Sequence, residues 1–99
     1  MSNDEQVLLD LNAPEFQDQL FELASDDIRK VHKTLKKLRK MTWTDVFRDH
    51  GLKWEQVKTV PGTYTIRVSQ SYRAAVSREG AFMAFERLHK DHDEAYGKK

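Results

Sequence analysis

Apolar positions recur with two different periods along the chain, and the change of period divides it into two halves. Phe16, Leu20, Phe21 and Leu23 form a helical stripe that runs to about Ala24. Ile28, Val31, Leu35, Leu38 and Met41 recur close to every 3.6 residues and predict a second helix. Asn12 is placed to cap the first helix, with Pro14 in its first turn, where a missing N–H costs nothing. Ser25 is placed to cap the second, with Asp26 and Asp27 at the positive end of its dipole. The tight junction predicts an αα-hairpin. Before it, Gln6–Leu11 reads as a short strand. After it, Thr42 and Asp45 have the spacing of a capping box, opening a short helix for which Gly51 is a natural stop.

From Trp54 the period falls to two. Trp54–Thr59 predicts a strand, and Pro61–Gly62 suits the centre of a type II turn. Tyr64, Ile66 and Val68 alternate with polar residues, as do Tyr72, Ala74 and Val76; Glu79–Gly80 turns the chain into a third run, Ala81–Leu88. The predicted fold class is α+β: an N-terminal strand and an αα-hairpin packed on one face of an antiparallel β-meander, forming one domain over residues 1–99.

Composition narrows the chemistry. The 99 residues contain no cysteine, which excludes a disulfide scaffold, a thiol nucleophile and a Cys-ligated zinc site. No apolar run approaches the ~18 residues of a membrane span. The first ten residues carry three acids and no base, unlike a secretory signal, so a cytoplasmic domain is expected. The formal net charge of +1 conceals segregation. Residues 1–27 hold eight acids and no Lys or Arg, whereas residues 28–40 hold seven bases and no acid. A polyanion responds to such a local patch and not to the total.

The sheet face opposite the helices adds a second basic surface. If Tyr64, Ile66, Val68, Tyr72, Ala74 and Val76 face the core, Arg67 and Arg73 project from the open face. They share that face only if the connecting loop has an odd number of residues, such as Ser69–Gln70–Ser71, because a one-residue slip inverts every side chain. Arg87 and Lys90 then arrive from the neighbouring strand and its end. Guanidinium groups hold phosphate through paired hydrogen bonds and stay charged at any working pH. The tail HKDHDEAY brings His89, Lys90, His92 and Tyr96 within eight residues. RNA cleavage without a metal needs a base for the 2′-hydroxyl, cations for the phosphorane and an acid for the departing 5′-oxygen, and this set holds all three kinds of group. His89 and His92 with Asp91 or Asp93 form the alternative of a metal pair, although no distant third ligand completes it. His32 and His50 are read as helix-surface residues.

Tyr64–Tyr96 (YTIRVSQSYRAAVSREGAFMAFERLHKDHDEAY) resembles the core of the RelE/ParE superfamily of type II toxin–antitoxin toxins. The likeness lies in a Y-x-(I/L)-(R/K) strand, a strand opening with Tyr-Arg, a third apolar strand and a basic, His-containing tail ending in Tyr. It implies a ribosome-dependent mRNA endonuclease that works without metal or small-molecule cofactor. Its substrate is then mRNA in the ribosomal A site, and a cognate antitoxin neutralises it, lying on the basic helix 28–40 or the open sheet face. By the same resemblance Arg67 contacts phosphate and Arg73 stabilises transition-state charge; the pattern of the residues themselves adds Arg87 and His89 as phosphate contacts. Lys90 takes the place of a further cation, Tyr96 that of a base, and His92 shares the acid or base role. Thr65 stands where some members carry a second Lys. The ParE branch, whose members inhibit DNA gyrase, has the same fold and implies an alternative; a non-catalytic RNA- or protein-binding module on the same surface is another.

Overall fold

Residues 4–90 are described by a computed structural model. In chain order the elements are β1 (Leu8–Asp10), α1 (Pro14–Phe21), α2 (Ser25–Leu38), α3 (Trp43–Arg48), β2 (Glu55–Gln56), β3 (Tyr64–Arg67), β4 (Tyr72–Glu79) and β5 (Phe82–Lys90). They build a five-stranded sheet in the order β1-β5-β4-β3-β2. The meander β3–β4–β5 is antiparallel, and β1 joins its outer edge parallel to β5, with Leu9 opposite Met83. The expected α+β class and the expected order of elements are both present.

Local sequence explains most boundaries. Thr42 and Asp45 form the capping box, each side chain accepting from the other's backbone N–H. Gly62 has φ of +82° and Thr63 N–H donates to the Val60 carbonyl at 3.1 Å, as a type II turn centred on Pro61–Gly62 requires. Asp26 and Asp27 occupy the first turn of α2, and Lys36 and Lys37 the last.

Five expectations are corrected. The first helix is capped by Ala13, not Asn12, and has no side-chain cap. Pro14 drives the preceding residue out of the helical region, and Ala13 sits at φ −66°, ψ 125°, while the Asn12 N–H donates to Asp10 Oδ1 one turn earlier. The same helix ends at Phe21 and not near Ala24, because the Glu22 and Leu23 N–H groups close it with bonds three residues back, to the Gln19 and Leu20 carbonyls. Ser25 is the first residue of α2, with Ala24 extended at the cap. Helix α3 stops at Arg48, before Gly51, because Asp49 turns extended and its Oδ1 accepts the Leu52 N–H. The strand expected over Trp54–Thr59 shrinks to Glu55–Gln56, since the chain must turn back through 57–63 to enter β3.

The core lies between the helices and one sheet face. Phe16 of α1 meets Phe85 of β5 with ring centroids 5.2 Å apart, and Val31, Leu35 and Leu38 bring in α2. Trp43 is buried under the guanidinium of Arg78, 4.2 Å from its ring, and its indole N–H donates to the Ala81 carbonyl. Burying each such side chain contributes roughly 1.5–3 kcal/mol. At the sheet edge beyond β1, the Gln19 side chain accepts from Leu88 N–H and donates to Leu88 C=O. It thereby pairs a strand edge that β1 no longer covers.

Candidate nucleic-acid interface

The register of the meander settles which polar side chains meet. Ile66 lies opposite Ala74 and Arg67 opposite Arg73, joined by the odd loop Ser69–Ser71. Ser69 shapes that loop by accepting from the N–H groups of Ser71 and Tyr72. On the next strand Arg73 lies opposite His89. Arg67, Arg73 and His89 therefore form one row across three strands, with directly opposed Cβ atoms about 5 Å apart. Thr65, Ala75 and Arg87 form the row beside it.

A β-bulge makes this possible. Ala75 pairs with Arg87 but Val76 pairs with Phe85, leaving Glu86 as the extra residue of β5. Phe85 and Leu88, three residues apart, both sink into the core at 1% and 4% exposure. Strict alternation would have put one of them in solvent. The bulge thus leaves Arg87 exposed beside Ala75, on the face where the sequence pattern expects it.

Two expectations about this face change. Lys90 lies opposite Tyr72, which packs against the core, so the alternation of β5 puts Lys90 on the helix side and not with Arg73. There it lines a cleft with Glu22 and Asp27. Arg73 is on the expected face but does not project from it: it is only 3% exposed. Its Nη2 donates to Thr65 Oγ1 at 2.6 Å and to the Lys53 carbonyl at 3.1 Å, and lies 3.6 Å from Glu55 Oε1. A guanidinium shut away from water needs such acceptors, since an unpaired buried charge costs several kcal/mol. Lys53 reaches this position with φ of +53°, the one positive φ at a non-glycine residue described. The segment Leu52–Gln56 is thus laid along the sheet edge, tied also by the Arg67 N–H donating to the Leu52 carbonyl.

Glu55 is the functional candidate that sequence reading misses. No motif surrounds it, and it becomes relevant only because β2 pairs it with Thr65 and so sets its carboxylate beside Arg73. At 64% exposure it faces solvent as well as the guanidinium. It and His89 are the proton acceptors that the described residues place next to Arg73. His92 and Tyr96 lie outside the described residues. So does most of the metal pairing considered for the tail, and among the described residues no three His, Asp or Glu side chains converge.

On α2 and just past its end the bases are partly committed. Arg29 pairs with Asp26, Arg39 donates to the Val7 carbonyl, and Lys37 pairs with Asp49 at 3.0 Å. Partial burial pushes the Asp49 carboxyl up. Hydrogen bonds from Lys37 and the Leu52 N–H, with the lysine's charge, outweigh this and hold it below the usual carboxylate range. Lys33, Lys36 and Lys40 line an open groove on the outer side of the helix. No helix among the described residues is long and apolar enough to cross a membrane.

No protein-family model matches the sequence, and no curated protein matches it in sequence. Solved structures do match in fold. YoeB from Staphylococcus aureus, solved as a dimer, superposes with a TM-score of 0.58 at 17% identity, over 89% of this chain and 99% of that one. A chain of the RelB–RelE antitoxin–toxin complex of Methanococcus jannaschii gives 0.57 at 18% identity, over 91% and 94%. YafQ from Escherichia coli gives 0.55 at 14% identity, over 93% and 100%. The fold is that of the RelE/YoeB toxins.

Proposed function

We propose that this chain acts as one toxin domain of a type II toxin–antitoxin system, cleaving mRNA on the ribosome in the cytoplasm until a cognate antitoxin masks it. The observation that carries this reading is the single row Arg67–Arg73–His89, with Glu55 against its central guanidinium. The shared fold supports it, and RelE and YafQ are both solved in complexes with antitoxins.

The row supplies the parts of 2′-hydroxyl attack. A base removes the 2′-hydroxyl proton, and the 2′-oxygen bonds to the adjacent phosphorus. The bond from phosphorus to the 5′-oxygen breaks, and that oxygen takes a proton as it leaves. The products carry a 2′,3′-cyclic phosphate and a 5′-hydroxyl. Arg67 binds the phosphate, with Arg87 beside it, while Arg73 neutralises the charge that grows in the transition state. Arg73 is held in place before substrate arrives, by Thr65 and the Lys53 carbonyl, and a phosphate oxygen replaces the Glu55 carboxylate at its edge. Glu55 or His89 takes the proton, alongside the roles that the family likeness assigns to His92 and Tyr96.

The test is induction of the chain in bacteria with mapping of transcript ends. New 3′ ends bearing cyclic phosphate at translated positions are expected, together with growth arrest that Arg73→Ala and Tyr96→Phe relieve. DNA damage preceding transcript loss points instead to gyrase. Full toxicity of both variants, or cleavage by the purified protein that EDTA abolishes, overturns the mechanism.

A further inference from the structure

Beyond the end of the Arg67–Arg73–His89 row lies a cleft of about 200 Å³ between α2 and the β3–β4 loop. We infer that this cleft is a second phosphate site, in which Lys37 and Arg67 hold the RNA phosphate next to the one being cleaved, with Asp49 positioning Lys37. The inference rests on the proposed cleavage reading and extends it along the strand.

The chemistry of the lining carries it. Lys37 and Thr34 come from α2, Arg67 from the end of β3, and Ser69 and Gln70 from the loop. No acidic side chain lines it, whereas the cleft on the far side of the row includes Glu22 and Asp27. Asp49 stands behind Lys37, with one oxygen on the ammonium and the other on the Leu52 N–H. An ammonium has three donors, so this pairing leaves others for an anion. The Ser69 oxygen already accepts from two backbone N–H groups, which leaves its O–H to donate. Two cations from separate elements and a spare hydroxyl thus converge on a space open to solvent, the donor set an anionic oxygen cluster needs. Arg67 belongs to both the row and the cleft, so a backbone lying on the row continues into the cleft within one nucleotide.

The test uses the full chain and a trinucleotide lacking 2′-hydroxyls, which binds but cannot be cut, with inorganic phosphate as a second probe. Amide shifts in the trinucleotide titration are expected at Thr34, Lys37, Ser69 and Gln70. Lys37→Gln should weaken trinucleotide binding and flatten the log-affinity against log-salt slope by about 0.7, the value for one phosphate contact on a single strand. Lys37→Arg should restore the slope, and Asp49→Asn should weaken binding in a protein that still melts cooperatively. Shifts from phosphate that the trinucleotide does not reproduce mean a free-anion site and overturn the assignment to RNA. An unchanged slope in Lys37→Gln overturns it as well. Trinucleotide binding at the cleft by a chain that cuts no transcript leaves this site standing and removes the cleavage reading instead.

Discussion

Arg73 and Thr65 are joined across neighbouring strands by a 2.6 Å hydrogen bond from the guanidinium to the hydroxyl. The two residues are not directly opposite: Thr65 pairs with Ala75 and Arg73 with Arg67, so the bond runs diagonally over the small Ala75. Position 65 therefore holds an acceptor for the central arginine.

Thr65→Val keeps the shape of that side chain and removes the acceptor. The buried guanidinium then loses one of its partners, at a cost of about 1–3 kcal/mol. Urea denaturation should show this loss, and Thr65→Ser, which restores a hydroxyl, should recover most of it. Equal stability of Thr65→Val and wild type would mean that the bond adds nothing.

Glu55 and His89 compete for the role of base. Glu55 is mostly exposed, so Glu55→Gln should change stability by no more than about 0.5 kcal/mol. If Glu55 takes the 2′-hydroxyl proton, the same variant should cut transcript cleavage about 10²- to 10⁴-fold, the usual range for a general base. His89→Gln then retains most of its activity. The reverse ranking assigns the proton to His89, and single-turnover cleavage rates of the two variants separate the cases.

Acid should weaken the tie between α2 and the loop after α3. The Asp49 carboxyl is held below its ordinary value in the folded protein, so its contribution is present at neutral pH and above the unfolded carboxylate pKa of about 3.9. It disappears as the pH falls through the lower folded value. Asp49→Asn should therefore cost stability at pH 7 and nothing once wild-type Asp49 is fully protonated. The difference in melting temperature between the two proteins, followed from pH 7 downward, should close in that window.

Deletion of Glu86 tests the bulge. Without the extra residue, plain alternation from Phe85 keeps Arg87 and His89 on the open face and Leu88 in the core, so the deletion variant should still melt cooperatively. An Ala inserted after Arg87 instead carries Leu88 to the open face and turns His89 toward the core, and should abolish cooperative melting. An insertion variant as stable as wild type would show that the register tolerates the slip.

Gln19 closes the edge of β5 with two hydrogen bonds to one residue. Gln19→Leu should cost roughly 1–3 kcal/mol by leaving the Leu88 backbone unpaired. Amide exchange at Leu88 should accelerate selectively, because the strand edge opens there.

The amino-acid sequence by itself carries the features that are local in origin. The capping box of α3, the Pro61–Gly62 turn, the helical stripe of α2 and the alternation of β3 and β4 all follow from contacts within a few residues, and all are present. Alternation together with burial also implies the odd loop, and with it the pairing of Arg67 with Arg73. Tertiary structure decided what depends on distant segments meeting. That β1 would lie parallel to β5 has no local signature. The bulge at Glu86 is visible only once Phe85 and Leu88 compete for one core. Lys90 changes side because its register is inherited from Tyr72. Arg73, legible as a basic residue on a polar face, became a buried and preorganised one because residues 53–55 fold over it. The same fold brought in Glu55, which no spacing in the sequence connects to Arg73.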